Sequence, residues 1–509
     1  MLKPKVILRN VLSNWIGFIA EACFAFFLFP FVVRQVGDTA YGLWVLILSM
    51  TGYFGLLTLG LRPAINKYVS EFFAQGKMKE LNDLVNAALS VYAVMGLIIL
   101  FGGATLSVFI DRLPFLPANL AAQNRWVVMV VALQVALNLP AVVFGGVLSG
   151  LQRYDISNAI GVSTTLSRAV LILVFLKGAP TLLSLSLISL VTTSGGYAFT
   201  IWAARRQCPA IKLRFGVPKR QTAVMLFRYS GVTALGQLGG RLFIYADSFV
   251  VTGLISVAAV THYSIATNLI GYMRSLSEDS TSVLNPAASE LRAKNLEEEL
   301  RALWIHVTRA LLLILLPISL GLIFLGREFI VLWMGSNFAD SATIVAILAA
   351  AQAAVLAQAG TRAILFGLGR HQIVAKLIWI EGIVNITLSV ILGRAYGLIG
   401  IATGSSIAGL MVGAIWLPKL VSSVMGVPLR SYLRQAYLRP VVTAAPMALL
   451  LYWMVRTTQA YTWIHLGTEI VVSSALYGTL AFFFCLKEKE RSGIYASLQK
   501  AALAVGVRT

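Results

Sequence analysis

Histidine and cysteine are nearly absent from this chain, with four and three residues respectively among 509. His262, His306, His371 and His465 stand far apart without ligand spacing, which removes a His- or Cys-based metal centre from consideration. Cys23 and Cys485 fall within apolar stretches and Cys208 in a basic connection, so no pair is placed to form an exported disulfide. Charge is scarce as well, at 12% of residues, and acidic residues are the scarcer half. There is no GxxxxGK[ST] loop, which argues against ATP as an energy source. A cleavable leader is not expected either. Lys3, Lys5 and Arg9 precede an apolar stretch too long for a signal core and without a small-residue cleavage site.

What the chain has instead is hydrocarbon, at 58% hydrophobic residues. A helix needs roughly 20 mostly apolar residues to cross a bilayer core. Such stretches fall at 12–33, 40–61, 84–110, 125–148, 158–177, 181–203, 225–252, 257–285, 305–326, 341–366, 375–393, 397–417, 437–456 and 464–486. Runs such as Val94 to Phe109 and Ala310 to Leu325 are continuously apolar, without the alternation of a barrel strand. The expectation is an all-α polytopic membrane protein with about 14 transmembrane helices.

The net charge of +21 invites a nucleic-acid reading. Its distribution points elsewhere. With a cytoplasmic amino terminus, most Lys and Arg fall in cytoplasmic connections, among them Arg62, Lys67, Lys77, Lys79, Arg153, Arg205, Arg206, Arg292, Lys294, Arg301 and Arg370. The opposite face keeps Arg34, Arg112, Arg125, Lys177, Arg327, Arg394 and Arg456. That bias is the positive-inside rule with both termini cytoplasmic, and no nucleic-acid partner is expected.

The chain also repeats. Ser70-Glu71, Ala74 and Glu80-Leu81 line up at one constant offset with Ser289-Glu290, Ala293 and Glu299-Leu300. Gly150-Leu151-Gln152-Arg153 and Ile156 line up at nearly the same offset with Gly367-Leu368-Gly369-Arg370 and Ile373. Both sets fall in connections on the same side, so the halves share an orientation and form parallel six-helix repeats. Two further helices follow them.

Five segments resemble a known family. Tyr41-Gly42-Leu43-Trp44 through Leu59-Gly60-Leu61 is similar to the second-span signature of polysaccharide flippases in the multidrug/oligosaccharidyl-lipid/polysaccharide exporter superfamily. Further matches are Gly150 to Tyr154, Asp247 to Ala266, Leu332 to Phe338, and Tyr396 to Thr403, in the right order over nearly the full length. The resemblance implies two six-helix lobes around a central cavity, alternating access, and translocation of a lipid-linked oligosaccharide toward the periplasm. The corresponding division is an N-lobe at 1–224, a C-lobe at 225–436, appended helices at 437–486 and a cytoplasmic tail at 487–509.

Charged side chains inside spans cost a few kcal/mol each, so function is sought there. Arg168, Arg241, Arg274 and Arg362 are candidate phosphate ligands, since a guanidinium stays protonated and donates bidentate bonds to phosphate oxygens. Each has a bland alternative. Arg241 could pair with a carboxylate on another helix, Arg274 with Glu278 one turn on, and Arg362 could reach back to the cytoplasmic boundary. Tyr245 shares a helix stripe with Gln237, Arg241 and Ser248 and is a candidate sugar contact. On the acidic side, Glu21 shares a face with Asn14 and Gly17, suiting either a proton or sodium site or a carboxylate satisfied by an arginine. Glu381 and Asn385 at i and i+4, with Thr403 in the next helix, offer oxygens to a hard cation, or polar glue between helices. With Asp247 they look like the sodium site of the lipid II flippase. The acid and amide occur in a different order here, and that flippase's arginines in its first two helices have no clear counterpart, which counts against a peptidoglycan precursor.

The expected function is flipping of a lipid-diphosphate-linked oligosaccharide across the bacterial cytoplasmic (inner) membrane. No cofactor is expected beyond possible Na+ or H+ coupling, and a polysaccharide polymerase or other assembly protein is a possible partner. The alternatives are a proton- or sodium-coupled multidrug antiporter of the same superfamily, and a membrane glycosyltransferase or polymerase. The last would need a larger external domain than these connections provide.

Overall fold

In the computed structural model, residues 23–24, 26–54, 61–110, 121–213, 221–222, 224–226, 245–281, 284–458, 461–486, 488 and 491 are described. Among them every regular element is a helix. The chain forms two compact units, Met1–Ser264 and Ile265–Thr509. These units are defined by packing, whereas the sequence-based lobes are defined by repetition.

In the first unit, α1 (Phe26–Val36) and α2 (Asp38–Phe54) meet at Gly37, whose φ of +85° turns the chain sharply. Then follow α3 (Leu61–Ala74), α4 (Met78–Phe109), α5 (Ala121–Gly150), α6 (Tyr154–Phe175), α7 (Leu182–Gln207) and α8 (245–254). Helix α5 is the organiser, packing against α2, α3, α4, α6 and α7. Its buried face, with Leu139, Val143, Phe144 and Val147, joins Leu84, Val85, Leu89 and Tyr92 of α4 in a hydrophobic core. Pro140 sits inside α5 without breaking it.

Helix α9 (Val257–Thr281) crosses from one unit to the other. The second unit continues with α10 (Leu284–Ala293), α11 (Glu297–Trp333), α12 (Ser341–Leu356), α13 (Ala359–Gly367), α14 (His371–Gly409), α15 (Leu417–Met425), α16 (Leu429–Leu433), α17 (Arg439–Thr457) and α18 (Trp463–Phe484). The predicted span 341–366 is broken at Ala357–Gln358 into α12 and α13. Helix α14 reverses at Gly397 (φ +61°) into two arms, corresponding to two predicted spans. Gly400 and Gly404 of the second arm press on the backbone of Leu392 and Ser389 in the first, a closeness only glycine permits. Wide π-helical turns occur at Leu410–Trp416 and Arg434–Leu438. Helices α17 and α18 pack on each other and on α11. The turn between them is tied down by buried Glu469, which accepts hydrogen bonds from Thr458 (2.8 Å) and Tyr461 (3.2 Å).

Nine helical stretches among the described residues are long and apolar enough to cross a membrane, and the bent α1–α2 pair adds a tenth. Outward-facing side chains such as Phe101, Leu449 and Ile464 are more than two-thirds exposed, which suits lipid and not water. This is a multi-pass membrane protein.

The internal repeat is visible in atomic detail. Ser70 donates to the Gly150 carbonyl (2.7 Å), and its equivalent Ser289 donates to the Gly367 carbonyl (2.8 Å). Helices α4 and α11 begin at equivalent residues, Met78 and Glu297, after turns in which Gly76 and Asn295 both take positive φ (69° and 56°). Helices α6 and α14 begin after Gln152 and Gly369, equivalent residues with φ of 59° and 71°.

Candidate functional site

Four charged side chains of the second unit converge from three helices. Arg274 and Glu278 come from α9, Arg362 from α13 and Glu381 from the first arm of α14. Arg362 lies within electrostatic range of Glu381, Arg274 and Glu278, and Glu381 within range of both arginines. Both charged tips lie against the second arm of α14. A Cβ on Gly413, inside the first π-helical turn, would lie 3.4 Å from an Arg362 guanidinium nitrogen, and one on Gly409 would lie 3.9 Å from a Glu381 carboxylate oxygen, both ordinary contact distances. Extra residues in a helix commonly mark functional sites, and this one falls where the charges gather.

None of the four makes a hydrogen bond or an ion pair within 4 Å with another described residue. Arg274, Arg362 and Glu381 are half-buried and Glu278 is exposed. Two cations and two anions thus face one another without closing into salt bridges, which leaves their donors and acceptors able to take a ligand or water. The sequence paired Arg274 with Glu278 and set Glu381 beside Asn385; it did not join all four. The side chain of Asn385 is engaged one turn away, where its oxygen accepts from Ser389 (2.9 Å) and Ser405 (3.0 Å) across the two arms. Thr403 donates back to the Ile399 carbonyl (2.7 Å), and among the described residues no hydrogen bond joins it to Asn385 or Glu381.

The first unit carries a separate polar group. Asp247 accepts a hydrogen bond from Tyr263 (2.9 Å) and lies within electrostatic range of Tyr53. The Tyr245 ring meets Tyr53 edge-on (5.7 Å, 71°) and covers Gly52, where a Cβ would come within 2.5 Å of it. Ser248 and Ser49 share a hydrogen bond (3.2 Å) between α8 and α2. Arg168, on α6, is half-buried and near Tyr197 of α7. It stands beside, not in, a groove of about 610 Å³ lined by Ser163, Thr164, Ser167, Thr192, Gly195, Phe199 and Trp202. Glu21 and Arg241 lie outside the described residues.

Among the described residues no group of three or more His, Cys, Asp and Glu side chains could hold a metal ion. What the second-unit cluster can do is bind an anion through two guanidinium forks while keeping carboxylates at hand as counter-charges.

The family model for polysaccharide biosynthesis proteins matches residues 7–292. The chain belongs to the polysaccharide biosynthesis protein family. Within reach of this family, the chain is 23% identical to the uncharacterized membrane protein EpsK of Bacillus subtilis, across 98% of this chain and 99% of EpsK. It is 22% identical to the probable low-salt glycan biosynthesis flippase Agl15 of Haloferax volcanii, across 79% of this chain and 80% of that protein. Among solved structures, an inward closed conformation of the lipid II flippase MurJ aligns with a TM-score of 0.69 at 15% identity, covering 94% of this chain and 98% of MurJ. An inward-facing multidrug resistance MATE transporter aligns with a TM-score of 0.68 at 14% identity, covering 82% and 95%. This polysaccharide biosynthesis protein therefore has the fold shared by MurJ and MATE transporters.

Proposed function

We propose that the chain is a transporter, not an enzyme, and flips a lipid-diphosphate-linked oligosaccharide across the cytoplasmic membrane, with both of its termini on the cytoplasmic side. The observation that carries this reading is the pair of arginines, Arg274 on the helix of the predicted span 257–285 and Arg362 on the membrane-length stretch Ser341–Gly367, that no described residue engages directly. Leaving such groups uncommitted within a span costs about 2.5–3.5 kcal/mol each on insertion scales, a cost that a bound anion offsets. A diphosphate matches two guanidinium forks. In the unloaded protein Glu278 and Glu381 balance the arginines; on loading, the phosphates take the arginine donors and the carboxylates are released to bind a proton or cation. The glycan needs hydrogen bonds that hydrocarbon cannot supply. Membership of a polysaccharide biosynthesis family and the printed name of Agl15 support the substrate class.

The test is transport of a fluorescent lipid-linked oligosaccharide in vesicles. Arg274→Ala and Arg362→Ala are each expected to lower the rate by about tenfold or more, as loss of a charged hydrogen-bonding group does. Parental rates in both variants would remove the assignment. The two carboxylates favour a second reading, a cation-coupled drug antiporter. In that case Glu381→Gln would abolish export of cationic dyes while the arginine variants kept it.

A further inference from the structure

Among the described residues the polar core of the second unit has no counterpart in the first. Gln358, at the break between α12 and α13, donates through its amide to Tyr432 (2.9 Å) and Tyr437 (2.5 Å) and accepts from Thr361 (2.7 Å). Thr361 accepts from the Trp304 indole (2.9 Å), Tyr432 donates to Thr308 (3.0 Å) and stacks on Trp304 at 4.0 Å, and Tyr437 reaches the Ala354 carbonyl (3.4 Å). Trp304, Thr308, Gln358, Thr361 and Tyr432 are all fully buried. Every member of this network is satisfied, the one condition under which a buried polar cluster rigidifies a core.

At the equivalent positions of the first unit stand Val85, Leu89, Ala141 and Phe144, all buried and all apolar. There α5 runs unbroken. The fold therefore does not need the network; the second unit has it in addition. Two facts indicate its purpose. The tyrosines come from α16 and the π-helical turn that lead directly into α17 and α18, which lie beyond the repeat. The break they hold lies one turn before Arg362, whose backbone N–H donates to the Gln358 carbonyl (3.1 Å), and Arg362 is equivalent to Gly145 in the first unit. Both the charge and the network that precedes it are confined to the same half.

We propose that Gln358, Tyr432 and Tyr437 are positioning residues. They hold the break that aims Arg362 at the charge cluster and couple that aim to the segment carrying α17 and α18. The proposal rests on the anion-binding role given above to Arg362, but its first readout does not.

The test uses full-length protein with Cys23, Cys208 and Cys485 replaced by serine and Ala363→Cys as a reporter beside Arg362. Tyr432→Phe with Tyr437→Phe keeps the rings and removes both acceptors of the Gln358 amide. The rate of thiol labelling at position 363 is expected to change by about fivefold or more, while labelling at a half-buried reporter in the first unit, Val142→Cys, stays unchanged. The unfolding temperature falls modestly, because the buried amide loses its acceptors. The second readout is inorganic pyrophosphate binding by calorimetry, with native Ala363. Gln358→Leu with Thr361→Val is expected to weaken it about tenfold, and Arg362→Ala is expected to add nothing in that background, a non-additive cycle. Unchanged labelling at 363, or labelling that changes equally at 142, overturns the proposal. Changed labelling at 363 alone, with pyrophosphate binding indifferent to Arg362→Ala, supports the positioning and overturns the anion role.

Discussion

The junction of α3, α4 and α5 in the first unit and that of α10, α11 and α13 in the second share their turns, their serine clasp and their glycine contact. Where Val85, Leu89, Ala141 and Phe144 pack as side chains without hydrogen-bonding groups in one, Trp304, Thr308, Gln358 and Thr361 form a hydrogen-bonded network in the other. The shared part is what the backbone requires: a hydroxyl for the end of a helix, a glycine where two helices touch, a left-handed residue where the chain turns. The differing part is what the second unit does beyond folding. The two copies share their shape and differ in chemistry, with Arg362 in place of Gly145 and Gln358 in place of Ala141.

The largest effect expected from perturbing this comparison is at the glycine contacts. A Cβ on Gly367 would run into the Asn285 backbone carbonyl, whereas one on Gly150 first meets the Val69 side chain at 2.8 Å. Both alanine substitutions overpack, at about 1–3 kcal/mol, with Gly367→Ala at the upper end because a backbone atom cannot step aside. Thermal unfolding in detergent measures the order. The serine clasp comes next. Ser70→Ala and Ser289→Ala each remove one hydrogen bond, worth about 1 kcal/mol, and the more buried Ser70 should cost more.

The left-handed turns carry a smaller effect of opposite sign. Gln152→Gly should raise stability by up to about 1 kcal/mol, by relieving a side chain at φ 59°, and Asn295→Gly by less, since asparagine tolerates that region. The smallest effect is electrostatic. Glu290 pairs with Lys294 (2.5 Å), while the equivalent Glu71 is followed by Gln75. The lysine hydrogen bond and charge hold the Glu290 carboxyl below the usual glutamate range. Its contribution is therefore present above the unfolded pKa and lost as pH falls through the folded one. Lys294→Gln should lower the unfolding temperature only slightly at pH 7, a difference that vanishes as pH falls through the folded pKa, and shift the Glu290 titration upward by infrared spectroscopy.

The helices and the repeat were legible in the sequence because bilayer thickness and constant spacing are one-dimensional signals. The residues of the duplication were legible but not their contact: the motif pairs Ser70 with Ser289 and Gly150 with Gly367 turn out to be partners in one contact, made twice. The break at Gln358 was not legible. Pro140, Pro317 and Pro446 all lie inside continuous helices, while the break occurs at residues with no helix-breaking character and is held by tyrosines distant in sequence. The charge cluster was half legible. Each member stood out as a costly intramembrane charge, but Arg274 and Glu278 could be related only to neighbours on their own helix, and Glu381 was grouped with Asn385 and Thr403. Gly409 and Gly413, against which Glu381 and Arg362 lie, carried no signal apart from their neighbours.

The two left-handed turns have exchanged their glycines. The first unit keeps Gly76 opposite Asn295, and the second keeps Gly369 opposite Gln152. Residue identity has drifted at both sites while the torsion has stayed put. For relatives whose overall identity has fallen to about what separates this chain from EpsK, aligning by sign of φ at helix entrances would find the boundaries between halves where matching letters no longer can.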